Sequence, residues 1–387
     1  MKVLVLIVVL SGVLLIGGCA SSESVRHEGG FPVYMAGFPT ANAIKVEPVD
    51  EILRLPTAAK RYLSHITLDA TRKQNSVLDE LIESMFAKQQ LDVRYYSHAN
   101  STVSETFTSR QANCLSLTLM TYALARELGL KATLQEVEIP EYWTRKQGFS
   151  LLNGHVNVRL TDFQGNWKSS RLVDFDARMR ALQFKAQPIS VRRALAMYYN
   201  NKASDALVNR VFPVAFRYLQ AALQQDDTLT AAWLNLGVLY RLAGHHQYAE
   251  EAYQKVLALE PENLTVRENL AILYRLTGRP EQAEKLASEV YQLRQSNPYY
   301  HLNLGDEAFD KGQIALAKSY YRKAYRLDRS NHLVLFAMSK TALAVGHKDD
   351  AQALLQRALS NAEQHVDRQR YEAKLLVLND YVEEQTK

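Results

Sequence analysis

Residues Trp233 to Pro261 read WLNLGVLYRLAGHHQYAEEAYQKVLALEP. Apolar side chains recur three and four apart, which puts them on one face of a helix. Gly244 interrupts that face, and a second helical run follows it to Leu259. The stretch therefore predicts two amphipathic helices joined by a tight turn, where glycine accepts a left-handed backbone at no steric cost. The same landmarks return every 34 residues: Gly244, Gly278, Gly312 and Gly346, and Ala215, Ala249, Ala283, Ala317 and Ala351. Small residues at this interval sit where helices approach most closely, and large aromatics fill the gaps between them. Stacked units of this kind bury a continuous core and leave a concave groove.

The set Trp233, Leu236, Gly237, Tyr240, Ala249, Tyr253 and Pro261 resembles the tetratricopeptide repeat (TPR) pattern. The resemblance weakens but persists through Leu270, Ala271 and Tyr274, through Leu304, Gly305, Ala317, Tyr321 and Ala324, and through Ala342, Ala351, Leu355 and Ala358. Backward extrapolation finds a degenerate first unit at Ala203, Ala206, Ala215, Leu219 and Ala222. The expectation is about five helical hairpins over residues 196–363, then a capping helix and tail over 364–387. Asn201, Asn235, Asn269 and Asn303 also recur at 34 along the first helix of successive units. In the TPR family this position faces the groove, where asparagine can hydrogen-bond an extended peptide. Arg241 and Arg275 lie on the same side as candidates for meeting carboxylates. The resemblance thus implies a peptide or protein ligand in the groove.

The N-terminus points to a compartment. Met1-Lys2 precedes an almost unbroken apolar run from Val3 to Ile16, the length of a signal-peptide core and too short to span a bilayer. It closes on Gly17-Gly18-Cys19-Ala20-Ser21, which resembles the lipobox of bacterial lipoproteins. That resemblance implies a signal peptide over 1–18, lipidation of Cys19 and a lipidated tether over 19–30, with the membrane as a partner through the lipid. Aspartate, the residue that marks inner-membrane retention in this class, does not follow the cysteine. The expected location is the bacterial cell envelope, on the outer membrane facing the periplasm.

Composition excludes several classes. With 46 basic against 41 acidic residues, the net charge of +5 makes no case for nucleic acid. Two cysteines cannot form a disulfide scaffold or a four-thiolate zinc site, and no metal set or cofactor motif is readable. The phosphate-binding loop, the serine nucleophile elbow and the two-histidine zinc helix motif are all missing. His245-His246 falls in a repeat turn and reads as surface. If Cys19 carries lipid, Cys114 is the one thiol of the mature chain, in a compartment where thiols oxidise.

Residues 31–195 lack the repeat. Helical spacing runs over Asp50–His65 and Lys73–Gln90, and a polar Ser/Thr-rich stretch follows at 97–109. Next, Asn113 predicts an N-cap for a helix with Leu117, Met120, Leu124 and Leu128 on one face and Gly129 at its end. Cys114 then falls in the first turn, at the positive end of the helix dipole, where a thiolate is favoured. Strands are predicted over Ala132–Ile139, His155–Thr161 and Leu172–Phe175. A thiol on the helix, His155 on one strand and Asp174 on another can supply a nucleophile, a base and an orienting carboxylate. Asp176 shares a strand face with Asp174 and remains an alternative.

The run Asn113-Cys114-Leu115-Ser116, with Ala123 to Leu130, Gly154-His155-Val156-Asn157-Val158 and Val173-Asp174, resembles the transglutaminase-like superfamily, relatives of papain. More narrowly, the chain is similar to bacterial lipoproteins that fuse such a domain to TPR units. The resemblance implies an α+β transglutaminase-like (papain-like) domain over 31–195 followed by an all-α TPR solenoid. By position, it makes Cys114 the nucleophile, His155 the base and Asp174 the residue orienting the imidazole. One departure is Ala112, where the family would place glycine. The oxyanion donor is expected to be the Cys114 backbone N–H, with Gln111 a weaker candidate. Trp143 and Trp167 read as core aromatics or cleft walls. The function these features imply is a cysteine acyl-transfer enzyme, a peptidase or amidase before a transglutaminase, fed by the TPR groove. The alternative is a scaffold with an inert papain-like domain.

Overall fold

The computed structural model describes residues 24–26, 32–34, 37–73, 76–97, 99–164, 167–174, 184–362 and 365–385. The expected signal peptide, Cys19 and Asp176 lie outside the described residues. Of the expected tether, Ser24–Arg26 (β1) is described, paired antiparallel with Pro32–Tyr34 (β2).

Helix follows early. The stretch read as one helix from Asp50 is two, Val49–Ile52 (α1) and Thr57–Lys73 (α2), split at Pro56. Proline pushes the residue before it out of the helical region, so the first helix stops ahead of it. Val77–Phe86 (α3) is capped by the Ser76 hydroxyl, which accepts from the Asp79 backbone N–H at 3.1 Å.

After Arg94–Tyr95 (β3), the stretch read as merely polar holds a helix, Val103–Ser109 (α4). A capping box nucleates it: Thr102 accepts from Glu105 N–H at 3.3 Å, and the Glu105 carboxylate accepts from Thr102 N–H at 2.8 Å. Gln111–Ala112 (β4) then runs parallel to β3 and delivers the chain into Cys114–Glu127 (α5). α5 is buried from Leu115 through Ala125, so it forms the centre of this region rather than an amphipathic flank.

A sheet lies against α5. Lys131–Val137 (β5), His155–Gln164 (β8), Trp167–Val173 (β9) and Ala186–Pro188 (β10) form four antiparallel strands in the order β10-β5-β8-β9. Trp143–Lys146 (β6) and Phe149–Leu152 (β7) are a separate hairpin between β5 and β8. Gln147 and Gly148 turn it at positive φ, 49° and 83°.

The C-terminal region is an all-helical TPR solenoid. Its pairs are Val191–Val208 (α6) with Phe212–Gln225 (α7), Thr230–Leu242 (α8) with His246–Leu259 (α9), Leu264–Leu276 (α10) with Pro280–Arg294 (α11), Pro298–Asp310 (α12) with Ile314–Leu327 (α13), and His332–Ala344 (α14) with Lys348–Asn361 (α15). His365–Gln385 (α16) packs on α15. Gly244, Gly278, Gly312 and Gly346 turn the last four pairs at φ between 73° and 82°. Gly237 and Gly305 serve another purpose: a Cβ there would lie 2.3 and 2.4 Å from the buried rings of Tyr253 and Tyr321.

The two regions share one interior. α6 starts at Val191, ahead of the boundary expected at 195, and a single apolar cluster runs from Phe38 to Ala283. Glu47 fastens the segment before α1 to the array: Tyr218 donates to its carboxylate at 2.9 Å, Tyr199 to its carbonyl at 2.6 Å, and Lys202 pairs with it at 3.2 Å. Among the described residues no helix is long and apolar enough to cross a membrane.

Candidate functional site

The strand register builds the site. Val158 pairs with Val173, so Asp174, one residue past the end of β9, comes opposite Asn157. His155, two residues before Asn157 on β8, shares its face. The Asp174 Oδ2 accepts from both, 2.7 Å from His155 Nε2 and 3.1 Å from Asn157 Nδ2. All three are buried, His155 and Asn157 to 4% exposure. Gln135 on β5 pairs with Asn157 across the strands and extends the polar row.

α5 supplies the thiol. The Asn113 Oδ1 accepts from Ser116 N–H at 2.8 Å, so the helix begins at Cys114. Ser116 ties this turn down: its hydroxyl donates to Ala99 carbonyl at 2.7 Å and accepts from Ser101 N–H at 3.0 Å. Cys114 is a free thiol, half-buried, and close enough to the His155 ring to act on its charge. With Nε2 given to Asp174, Nδ1 is the ring nitrogen left for the thiol.

Burial opposes a charge on His155. The interactions with the Asp174 carboxylate and with Cys114 outweigh it and raise the imidazole from 6.5 to about 10. That direction favours the protonated ring at neutral pH, beside the Asp174 carboxylate and the Cys114 sulfur. Gln111 is exposed on β4, and its side chain has no hydrogen bond among the described residues. Asn157 is the member that sequence reasoning passed over; its position two residues from His155 in a strand was the available signal. Among the described residues no group of three or more His, Cys, Asp or Glu is placed to hold a metal.

The candidate groove residues are scattered in their bonding. Asn201 is half-buried on α6. Asn235 donates to Asn200 at 2.9 Å, and Asn269 donates to the Thr265 carbonyl of its own helix at 2.9 Å. Asn303 is buried and accepts from Ser150 of β7 at 2.9 Å. Arg241 donates to the Tyr253 hydroxyl at 3.4 Å, and Arg275 lies 3.8 Å from Glu284. The His245 ring lies against Phe38 and Tyr240. Trp143 belongs to the β6–β7 hairpin and lies under Arg294 of the array, 4.8 Å from the guanidinium carbon.

The tetratricopeptide repeat family model matches residues 230–263, and a second model of the same description matches residues 298–331. The chain therefore carries TPR units, two of the five seen among the described residues being matched directly. A comparison with curated proteins finds no match. Solved structures similar to the array include a thermophilic TPR protein of Thermus thermophilus, at 21% identity and a TM-score of 0.31, over 47% of this chain and 99% of that one. PilF of Pseudomonas aeruginosa aligns at 22% identity and a TM-score of 0.28, over 49% and 87%. A TPR protein of Parabacteroides merdae aligns at 18% identity and a TM-score of 0.32, over 47% and 70%.

Proposed function

We propose that the chain is a membrane-tethered cysteine acyl-transfer enzyme of the transglutaminase-like kind, with a TPR groove that binds a peptide or protein partner. The observation that carries the reading is the buried His155 ring, hydrogen-bonded to Asp174 and influenced by Cys114 at the start of α5. Papain-related catalysis needs these three groups in this order.

In the proposed reaction the Cys114 sulfur attacks an amide carbonyl carbon, and the carbonyl electrons move onto oxygen. The Cys114 backbone N–H, with Gln111 as the second candidate, donates to that oxyanion. Collapse breaks the C–N bond, and the His155 imidazolium gives its proton to the leaving amine. Water then attacks the thioester and loses a proton to His155, and collapse breaks the C–S bond to release a carboxylic acid and the Cys114 thiolate. An amine in place of water would give transfer; hydrolysis is favoured because water is always present. Asp174 holds the ring with Nδ1 toward sulfur, and Asn157 holds Asp174. Lipidation at Cys19 would keep the enzyme on the outer membrane, facing the periplasm.

A scaffold with an inert papain-like domain is the competing reading, and the two matched TPR units fit either one. Alkylation separates them. Iodoacetamide should modify Cys114 several times faster than free cysteine at pH 7, and His155→Ala should remove that advantage. Modification at the rate of free cysteine would reject the enzyme and leave the scaffold.

A further inference from the structure

Another part of this chain lies against the first helices of the array. The segment Glu141-Tyr142 and the β6–β7 hairpin touch the first helices of the first, third and fourth repeat units. Arg294, only 1% exposed, grips the Glu141 carboxylate through Nη2 at 2.6 Å and Nε at 2.7 Å. Its third contact, Nη1 to Glu268 at 2.8 Å, fixes the guanidinium in place. Asn297 donates to the Glu141 backbone carbonyl at 2.8 Å.

The aromatic pair that follows is received as well. Tyr142 meets Tyr299 with ring centres 5.8 Å apart, and Trp143 meets Tyr300 at 6.1 Å beneath Arg294. Arg145 reaches Asp310 at 3.1 Å, Ser150 reaches Asn303, and Lys146 reaches Asp205 at 2.9 Å. These are the features of a recognition site: a bidentate carboxylate clamp, aromatic shelves beside it, and acidic groups placed for basic residues further on.

We propose that this groove is the docking surface for a partner protein segment of the pattern acidic residue, aromatic, aromatic, then basic, and that Glu141-Tyr142 with the β6–β7 hairpin is a self-ligand occupying it. A tethered ligand competes at a millimolar effective concentration, so a partner must match the same contacts to displace it. Displacement reaches the triad, because Leu152 is followed only by Asn153 and Gly154 before His155. Asn153 closes this passage by bonding the Tyr142 carbonyl through its backbone N–H at 3.0 Å. Docking needs the groove alone; the link to Cys114 chemistry rests on the function proposed above.

The test uses the full chain and a fluorescent synthetic peptide with the sequence of residues 139–153. Wild type should bind it weakly, since its groove is filled. Glu141→Gln and Trp143→Ala, which weaken the self-ligand, should each bind it at least about tenfold more tightly. Adding Arg294→Met or, separately, Asn303→Ala to either variant should abolish that gain, with thermal melting to establish that each protein is folded. Variants that bind no better than wild type, or a gain indifferent to both groove substitutions in folded protein, would overturn the proposal. Iodoacetamide labelling of Cys114 in the same samples is read separately. A changed rate on peptide binding supports the link, and tight binding with an unchanged rate rejects the link. Labelling no faster than free cysteine throughout rejects the enzyme and leaves the docking result standing.

Discussion

Replacing Asp174 with asparagine tests the charge state on which the proposed chemistry depends. His155 is raised in the folded protein from 6.5 to about 10. A group whose folded value is raised adds stability that is complete below its unfolded value and is lost as pH rises through the folded one. For His155 that window runs from about pH 6.5 up to about 10. At 1.36 kcal/mol per pH unit the whole effect is at most about 5 kcal/mol. The Asp174 share is one charge-assisted hydrogen bond at 2.7 Å, roughly 1.5–3 kcal/mol. Urea unfolding of wild type and Asp174→Asn at pH 7, 8, 9 and 10 isolates it, because the other titrating groups are common to both. Relative to their difference at pH 10, wild type should gain about 1.5–3 kcal/mol over the variant by pH 7. The His155 ring resonance, followed by NMR, should titrate well above 6.5 in wild type and lower in the variant. Parallel stability curves, or a wild-type midpoint at or below 6.5, would refute an imidazolium held by Asp174 at neutral pH.

Two further outcomes follow from the packing. Gly237→Ala should lose about 1–2 kcal/mol in unfolding experiments, because overpacking against the buried Tyr253 ring outweighs the better helix propensity of alanine. Pairing it with Tyr253→Ala recreates the Ala271 and Ala287 combination of the next unit, so a double-mutant cycle should show the alanine at 237 to be harmless there. Asn113→Ala should cost about 1 kcal/mol of stability by removing the cap bond to Ser116, and should slow alkylation of Cys114; an unchanged rate would mean the cap does not position the thiol.

What the sequence made legible was whatever is enforced locally or repeated. The array could be read because each unit restates the same requirement, down to glycines whose φ values all lie in the left-handed region. Even the exceptions obey it: tyrosine occurs at 253 and 321, where glycine stands opposite, and alanine at 287, where Ala271 does. The start of α5 was readable from Asn113 for the same local reason. Asn157 was overlooked because its role depends on the β8–β9 register, which places it opposite Asp174. The helix at 103–109 was hidden by its Ser/Thr content, although Thr102 and Glu105 carried the capping box in plain view.

The hairpin is the informative failure. Among the described residues β6 and β7 pair only with each other, and an isolated two-stranded hairpin is marginal in water. Its order comes instead from residues such as Arg294 and Asp310, more than 150 positions away, which no local pattern can announce. The recurring asparagines mislead for the matching reason: periodicity places Asn303 in the groove but cannot say that Ser150 has already taken it. A segment that needs the groove in order to be structured is one the groove can exchange for a better-matched segment. The property that hid the hairpin from sequence reading is therefore the property that would let a partner replace it, at the entrance to the strand that carries His155.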